Sequence, residues 1–202
     1  MTRSFYRTLL ASLLVPTSAM AAAPDANSLI DAATIAKLDG LIDKEIVKLS
    51  IRSQNKKYGD LSQEEIIQLD QQWRKERKAD DKPLISATLS SPLSIYLSRF
   101  QGRSAGLFVE IFVMDNKGLN VGQSSVTSDF WQGDEDKFIK TFNVGTNAVF
   151  IDKPEWDDNL KIWRGQISKP ITDSDGKTLI GAITMEINLS ELERRQLAGA
   201  TN

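Results

Sequence analysis

The run Leu107-Phe-Val-Glu-Ile-Phe-Val-Met-Asp-Asn-Lys-Gly118 decides the fold, because the apolar pattern changes there from a helical period to a period of two. Leu107 to Met114 is rich in branched and aromatic residues and reads as a strand. Asp115-Asn116-Lys117-Gly118 has the composition of a tight turn, and Leu119 to Ser124 returns, which makes a β-hairpin. Working outward toward the C-terminus, Asp134 to Phe142 reads as a short helix and Ala148 to Asp152 as a short strand. Lys161 to Lys169 is a further strand, with Trp163 and Ile167 on one face and Arg164, Gln166 and Ser168 on the other. Asp173-Ser174-Asp175-Gly176 is a second turn. In the last strand, Thr178 to Ile187, Leu179, Ile183, Met185 and Ile187 alternate against Ala182, Thr184 and Glu186. A helical stub begins at Ser190.

Toward the N-terminus the pattern is helical. A helix starting near Ser28, with Asp31 as its capping-box partner, carries Ile35, Leu38, Ile42, Ile46 and Leu49 along one stripe and extends to Lys57. The stripe has two readings: it covers the sheet, or it joins two copies as a homodimer or docks another partner. Ser62 and Glu65 form a better capping box, Ile66, Leu69 and Trp73 give the apolar edge of that helix, and Pro83 ends it. Ser91-Pro92 marks an N-cap with proline at the first helical position, and that helix runs toward Phe100 and stops at Gly102. Helices followed by strands indicate an α+β fold: a long N-terminal helix and short helices packed on a mainly antiparallel sheet of about five strands.

The first residues set the compartment. Arg3 and Arg7, the apolar run Thr8 to Pro16 and the small residues of Ala19-Met20-Ala21 form a secretory signal peptide with cleavage expected after Ala21. The expected organisation is a signal peptide (1–21), a flexible leader (22–27) and one domain (28–202), helical over 28–102 and sheet over 107–189. The location would be periplasmic. The chain has 25 basic and 27 acidic residues, and removing Arg3 and Arg7 takes its formal charge from −2 to −4. That balance argues against nucleic acid as a partner. Cys is absent, so stability rests on packing rather than disulfides, and His is absent, which removes the commonest metal ligand and general base.

The order of these pieces resembles the Cache, or PDC, extracellular sensor domains, which are relatives of the PAS fold. The resemblance is carried by the amphipathic N-terminal helix and by Phe108 to Gly118. It is carried further by Thr127-Ser-Asp-Phe-Trp-Gln-Gly-Asp-Glu-Asp-Lys137 and by Ile171 to Ile187, so that it covers most of the chain after Ala21. Such domains usually sit between two membrane helices of a receptor, kinase or cyclase. This chain has no second membrane helix or signalling domain, and so resembles a free-standing periplasmic form. The resemblance implies a pocket between the first hairpin and the final strands for a small polar ligand: an amino acid, an amine or an organic acid. It also implies an inner-membrane signalling protein as partner.

The candidate ligand residues are Phe130, Trp131, Asp152, Trp156, Arg164, Gln166, Thr184 and Glu186. Aromatic residues would wall the pocket and a few charges would orient the ligand. Arg164 would grip a carboxylate and Asp152 or Glu186 an ammonium group, with Trp131, Asp152, Trp156 and Arg164 meeting at one cavity. The plainer alternative makes Trp131, Trp156 and Trp163 core residues. No cofactor or metal is expected. Placing Gly176 at the sixth position of a calcium loop leaves Ile171 and Ala182 where carboxylates are required, and Asp134 to Asp136 reads as a helix start. No enzyme is expected either, since the chain has no His or Cys and no glycine-rich phosphate loop, and no base lies near Ser124 and Ser125 in sequence.

Overall fold

The computed structural model describes residues 22–200. The signal-peptide assignment, Met1 to Ala21, lies outside the described residues. The first apolar stripe folds into three helices rather than one: α1 (Ala26–Leu29), α2 (Ala32–Ile42) and α3 (Glu45–Tyr58). Asp25 caps α1 by accepting from the Asn27 amide, so helix starts two residues before Ser28. Asp31 accepts from the Thr34 amide at 2.8 Å and opens a new helix instead of completing a capping box for the first. Lys44 is extended and separates α2 from α3. This break resets the helical phase. Leu38 and Leu41 of α2 and Val47 and Ile51 of α3 are buried, whereas Leu49 is 58% exposed.

The Ser62–Glu65 capping box forms as expected at the start of α4 (Gln63–Glu76), where Ile66 and Trp73 are buried. Pro83 does not end that helix. It opens α5 (Pro83–Leu89), because proline at the first helical position sacrifices no hydrogen bond. Ser91 caps α6 (Pro92–Arg103) by accepting from the Ser94 amide. This helix passes through Gly102; the chain turns instead at Ala105 and Gly106, which have φ of 50° and 82°.

The strands are β1 (Phe108–Asp115), β2 (Asn120–Gln123), β3 (Phe150–Ile151), β4 (Glu155–Asp157), β5 (Ile162–Thr172) and β6 (Leu179–Asn188). Helix α7 (Asp136–Ile139) precedes β3, and α8 (Leu189–Ala200) follows β6. The sheet order is β2-β1-β6-β5-β3, with β4 also paired to β5, and these pairings are antiparallel. The fold is therefore α+β, with a mainly antiparallel sheet as expected. Strand β4 was not anticipated.

Register divides the sheet into two unlike faces. Ile111, Met185 and Ile167 form one cross-strand row on the helical face. They are buried with Leu38, Val47, Ile51, Leu93 and Leu97. Of the stripe considered for self-association, Leu38 is buried against the molecule's own sheet, Ile35, Ile42 and Ile46 pack partly buried against the same core, and Leu49 stays exposed. On the opposite face the row Phe112–Thr184–Ser168 lies beside the row Glu110–Glu186–Gln166. Phe112, Met114 and Ala182 pack there under Phe138 and Phe142. A separate apolar cluster joins Ile66, Trp73 and Ile85 to Leu119 and Phe130. Among the described residues no helix is long and apolar enough to cross a membrane.

Candidate functional site

On the face opposite the main helical layer, the sheet leaves a cavity of about 560 Å³. Its floor is the row of Glu110 from β1, Glu186 from β6 and Gln166 from β5, which stand side by side because register pairs Glu186 with both neighbours. Arg164 of β5 adds the next position along the strand. One wall is the chain after β2, through Ser125, Val126 and Ser128, with Glu135 and Lys137 beyond it. The other is the β3–β4 connection, Asp152, Lys153 and Glu155, while Arg77, just past α4, stands at the rim.

The charges on this surface are already organised. Arg164 is bound on both sides, to Asp157 at 3.0 Å and to Glu186. The Asp157 carboxyl is held below its ordinary range by the Leu160 amide, helped by the Asn159 amide and Arg164. Gln166 donates its Nε2 to Glu186 Oε1 at 3.1 Å. Lys137 pairs with Glu135 at 2.6 Å and its ammonium lies 5.5 Å from the centre of the Phe112 ring. Glu110 accepts from the Ser125 hydroxyl at 2.5 Å. Arg77 donates to the Ser128 carbonyl at 3.1 Å.

Of the residues singled out in the sequence, the structure brings Asp152, Arg164, Gln166 and Glu186 to this cavity. Thr184 lies one row deeper, fully buried, with its hydroxyl 2.9 Å from that of Ser168. The aromatic residues do not join them. Phe130 is buried and stacked on Trp73, with ring centres 5.2 Å apart. Trp131 packs against the same cluster and donates its indole N–H to the Lys117 carbonyl at 2.9 Å. Both follow the Asp70 carboxylate, which accepts from their two amides and ties this segment to α4.

Trp156 is displaced by strand parity. In β4 it stands opposite Trp163, and the two rings meet edge to face at 5.5 Å. Trp163 packs against the helical-face core, so Trp156 lies on that side, and its neighbours Glu155 and Asp157 turn toward the cavity residues. The expected meeting of Trp131 and Trp156 with Arg164 is therefore not formed, because the Asp152 to Asn159 segment is partly a strand and not a free loop.

Glu110, Ser125, Glu135, Lys137, Lys153 and Glu155 were not among the candidate ligand residues. Only Glu110 left a signal in the sequence: it alternates with Ile111 in the first strand, as Phe112 and Met114 alternate with Val113. Lys137 lies in the short helix α7 and Glu155 opens β4, while Ser125, Glu135 and Lys153 sit in irregular chain, where periodicity carries no information about direction. Among the described residues no group of three or more Asp, Glu, His or Cys side chains is arranged to hold a metal ion.

The fold and cavity together define an α+β domain with a charged pocket on the sheet face opposite its main helical layer. No family model matches the chain, and no curated protein matches it. Among solved structures it is similar to the sensory domain of the Campylobacter jejuni chemoreceptor Tlp3, with 16% identity and a TM-score of 0.39, over 83% of this chain and 65% of that one. It is similar to the ligand-binding domain of the Pseudomonas aeruginosa PAO1 amino acid chemoreceptor PctC, solved in complex with GABA, with 14% identity and a TM-score of 0.36, over 73% of this chain and 60% of that one. It is also similar to the sensor domain of the V. cholerae histidine kinase DctB, with 14% identity and a TM-score of 0.37, over 83% of this chain and 56% of that one. The chain spans less than two thirds of each of these structures, and the likeness is distant in sequence and partial in shape.

Proposed function

We propose that this protein is an extracytoplasmic sensor module of the Cache type that takes a small polar ligand into the cavity over Glu110, Glu186 and Gln166. The observation that supports this reading is the cavity itself. A strand face lined with carboxylates, an amide and a guanidinium stands open on the side the main helical layer does not cover. A face meant only for packing would continue the apolar pattern of Phe112, Met114 and Ala182. A surface that combines enclosure with fixed charges of both signs suits a small ligand that exchanges hydrogen bonds with water for hydrogen bonds with protein. The module acts by binding and not by catalysis. It reports occupancy to a membrane signalling partner after export directed by residues 1–21.

The deciding experiment is thermal unfolding of the protein from Ala22 onward against a panel of amines, amino acids and organic acids. A ligand present at 100 times its dissociation constant stabilises by about 2.7 kcal/mol. A clear rise in melting temperature with one chemical class supports the reading. No rise with any class rejects it and leaves a structural or interaction role. Export is checked separately, by N-terminal sequencing of the secreted protein: a start at Ala22 supports it, and an intact Met1 in the membrane fraction contradicts it.

A further inference from the structure

Resting on the reading of this cavity as a ligand site, we propose that its ligand is a small aliphatic amine, held as an ammonium ion by Glu110, and that Arg164 positions Glu186 instead of gripping the ligand. The argument begins with which charges remain unanswered. The two cations nearest the inner wall already have partners: Arg164 bridges Asp157 and Glu186, and Lys137 pairs with Glu135. The lining acids with no cation among the described residues are Glu110, Asp152 and Glu155. Facing them are Arg77 and Lys153, both exposed.

The floor is more selective than the rim. Glu110 and Glu186 are direct cross-strand partners, and like charges directly opposite each other on a sheet are unfavourable. Arg164 answers Glu186, but among the described residues Glu110 is met only by the Ser125 hydroxyl. Beside them, Gln166 directs its Nε2 to Glu186, which fixes the amide orientation and leaves Oε1 as the remaining acceptor. That oxygen is buried and has no hydrogen-bond partner among the described residues. The acceptor on the floor that no described cation answers is therefore the Glu110 carboxylate, since Gln166 Oε1 is closed off from the cavity. An ammonium group has three donors, carries the opposite charge and accepts nothing. A carboxylate placed against Glu110 would meet a like charge that no cation among the described residues answers.

The test is isothermal titration of the protein from Ala22 onward, and of its Glu110→Gln variant, with putrescine, glycine and succinate. Glutamine keeps the shape of Glu110 and an oxygen for Ser125, and an unchanged melting temperature confirms that the variant is folded. The expected result is binding of putrescine by the wild type, no binding of succinate, and at least a tenfold weaker putrescine affinity in Glu110→Gln. Binding of succinate or glycine without putrescine overturns the amine assignment and leaves the cavity as a ligand site. Equal putrescine affinity in the folded variant overturns the role of Glu110. Binding of none of the three in the wild type overturns the amine assignment without help from any variant, and the wider thermal panel then decides whether the cavity binds anything.

Discussion

Asp115 shows how one residue sets a local structure in this protein. It is fully buried at the end of β1, where its Oδ1 accepts from the Lys117 and Leu119 amides, each at 2.9 Å, and its Oδ2 accepts from Gln54 Nε2 at 3.0 Å. Burial pushes its carboxyl upward, against the pull of these donors. Replacing Asp115 with Asn keeps the size but turns an acceptor into a donor that faces Gln54. The expected loss is about 1–3 kcal/mol in urea unfolding, the cost of a buried polar group left without its partner. An unchanged midpoint would show that Gln54 reorients freely. Arg164 acts on a wider neighbourhood. Its removal in Arg164→Ala leaves Glu186 beside Glu110 with no cation between them, and about 1–3 kcal/mol of stability should be lost with the charged hydrogen bonds. Equal stability of Arg164→Ala and wild type would argue against its positioning role.

At the scale of elements, the break between α2 and α3 and the turn between β1 and β2 carry the most consequence. The break at Lys44 lets both helices present a buried edge to the sheet although no single helical phase would serve. Leu38 is fully buried at that interface, so Leu38→Ala should cost about 2–5 kcal/mol and leave sedimentation unchanged. A shift in sedimentation with stability intact would support self-association through this stripe. The hairpin turn depends on Gly118, whose φ is +83° and whose hydrogen faces the backbone of Gly133. Alanine there combines left-handed strain with a steric conflict against main chain, which has no flexible end to move. Gly118→Ala is expected to lose at least about 1–2 kcal/mol by chemical denaturation; a neutral result would show that the 132–133 segment yields.

The molecule as a whole should be sensitive to acid. Glu191 is lowered from 4.5 to about 2 by Arg194 and Arg195, and Asp175 from 3.8 to about 2 by the Thr178 hydroxyl and nearby amides. Asp31, Glu65, Asp157 and Asp173 are lowered as well. A carboxylate with a depressed folded pKa contributes stability that is present above its unfolded value and lost as pH falls through the folded one. Asp115 moves the other way: its contribution is present below 3.8 and lost as pH rises through its raised folded value. The lowered groups outnumber it, so the urea midpoint should fall as pH is taken from about 5 to about 2. A flat profile over that interval would mean that the unfolded chain holds the same partners.

What the sequence determined by itself was local. The hairpin at Asp115 to Gly118, the Ser62–Glu65 capping box, the Ser91-Pro92 cap and the face alternation of the last two strands follow from side chains acting within a few residues of themselves. Arg164, Gln166 and Glu186 were legible as site candidates for the same reason, since alternation fixes which way a strand residue points. Tertiary structure decided the rest. Trp131 went to the core because Asp70, far away in sequence, holds its amide, and Trp156 turned from the cavity because β4 pairs with β5. Glu110 entered the floor only when β1 lay beside β6, and Lys44 broke a stripe that sequence spacing shows as continuous. A side chain's direction in irregular chain, and its neighbour across a sheet, are set by pairing between segments distant in sequence, which no local period records.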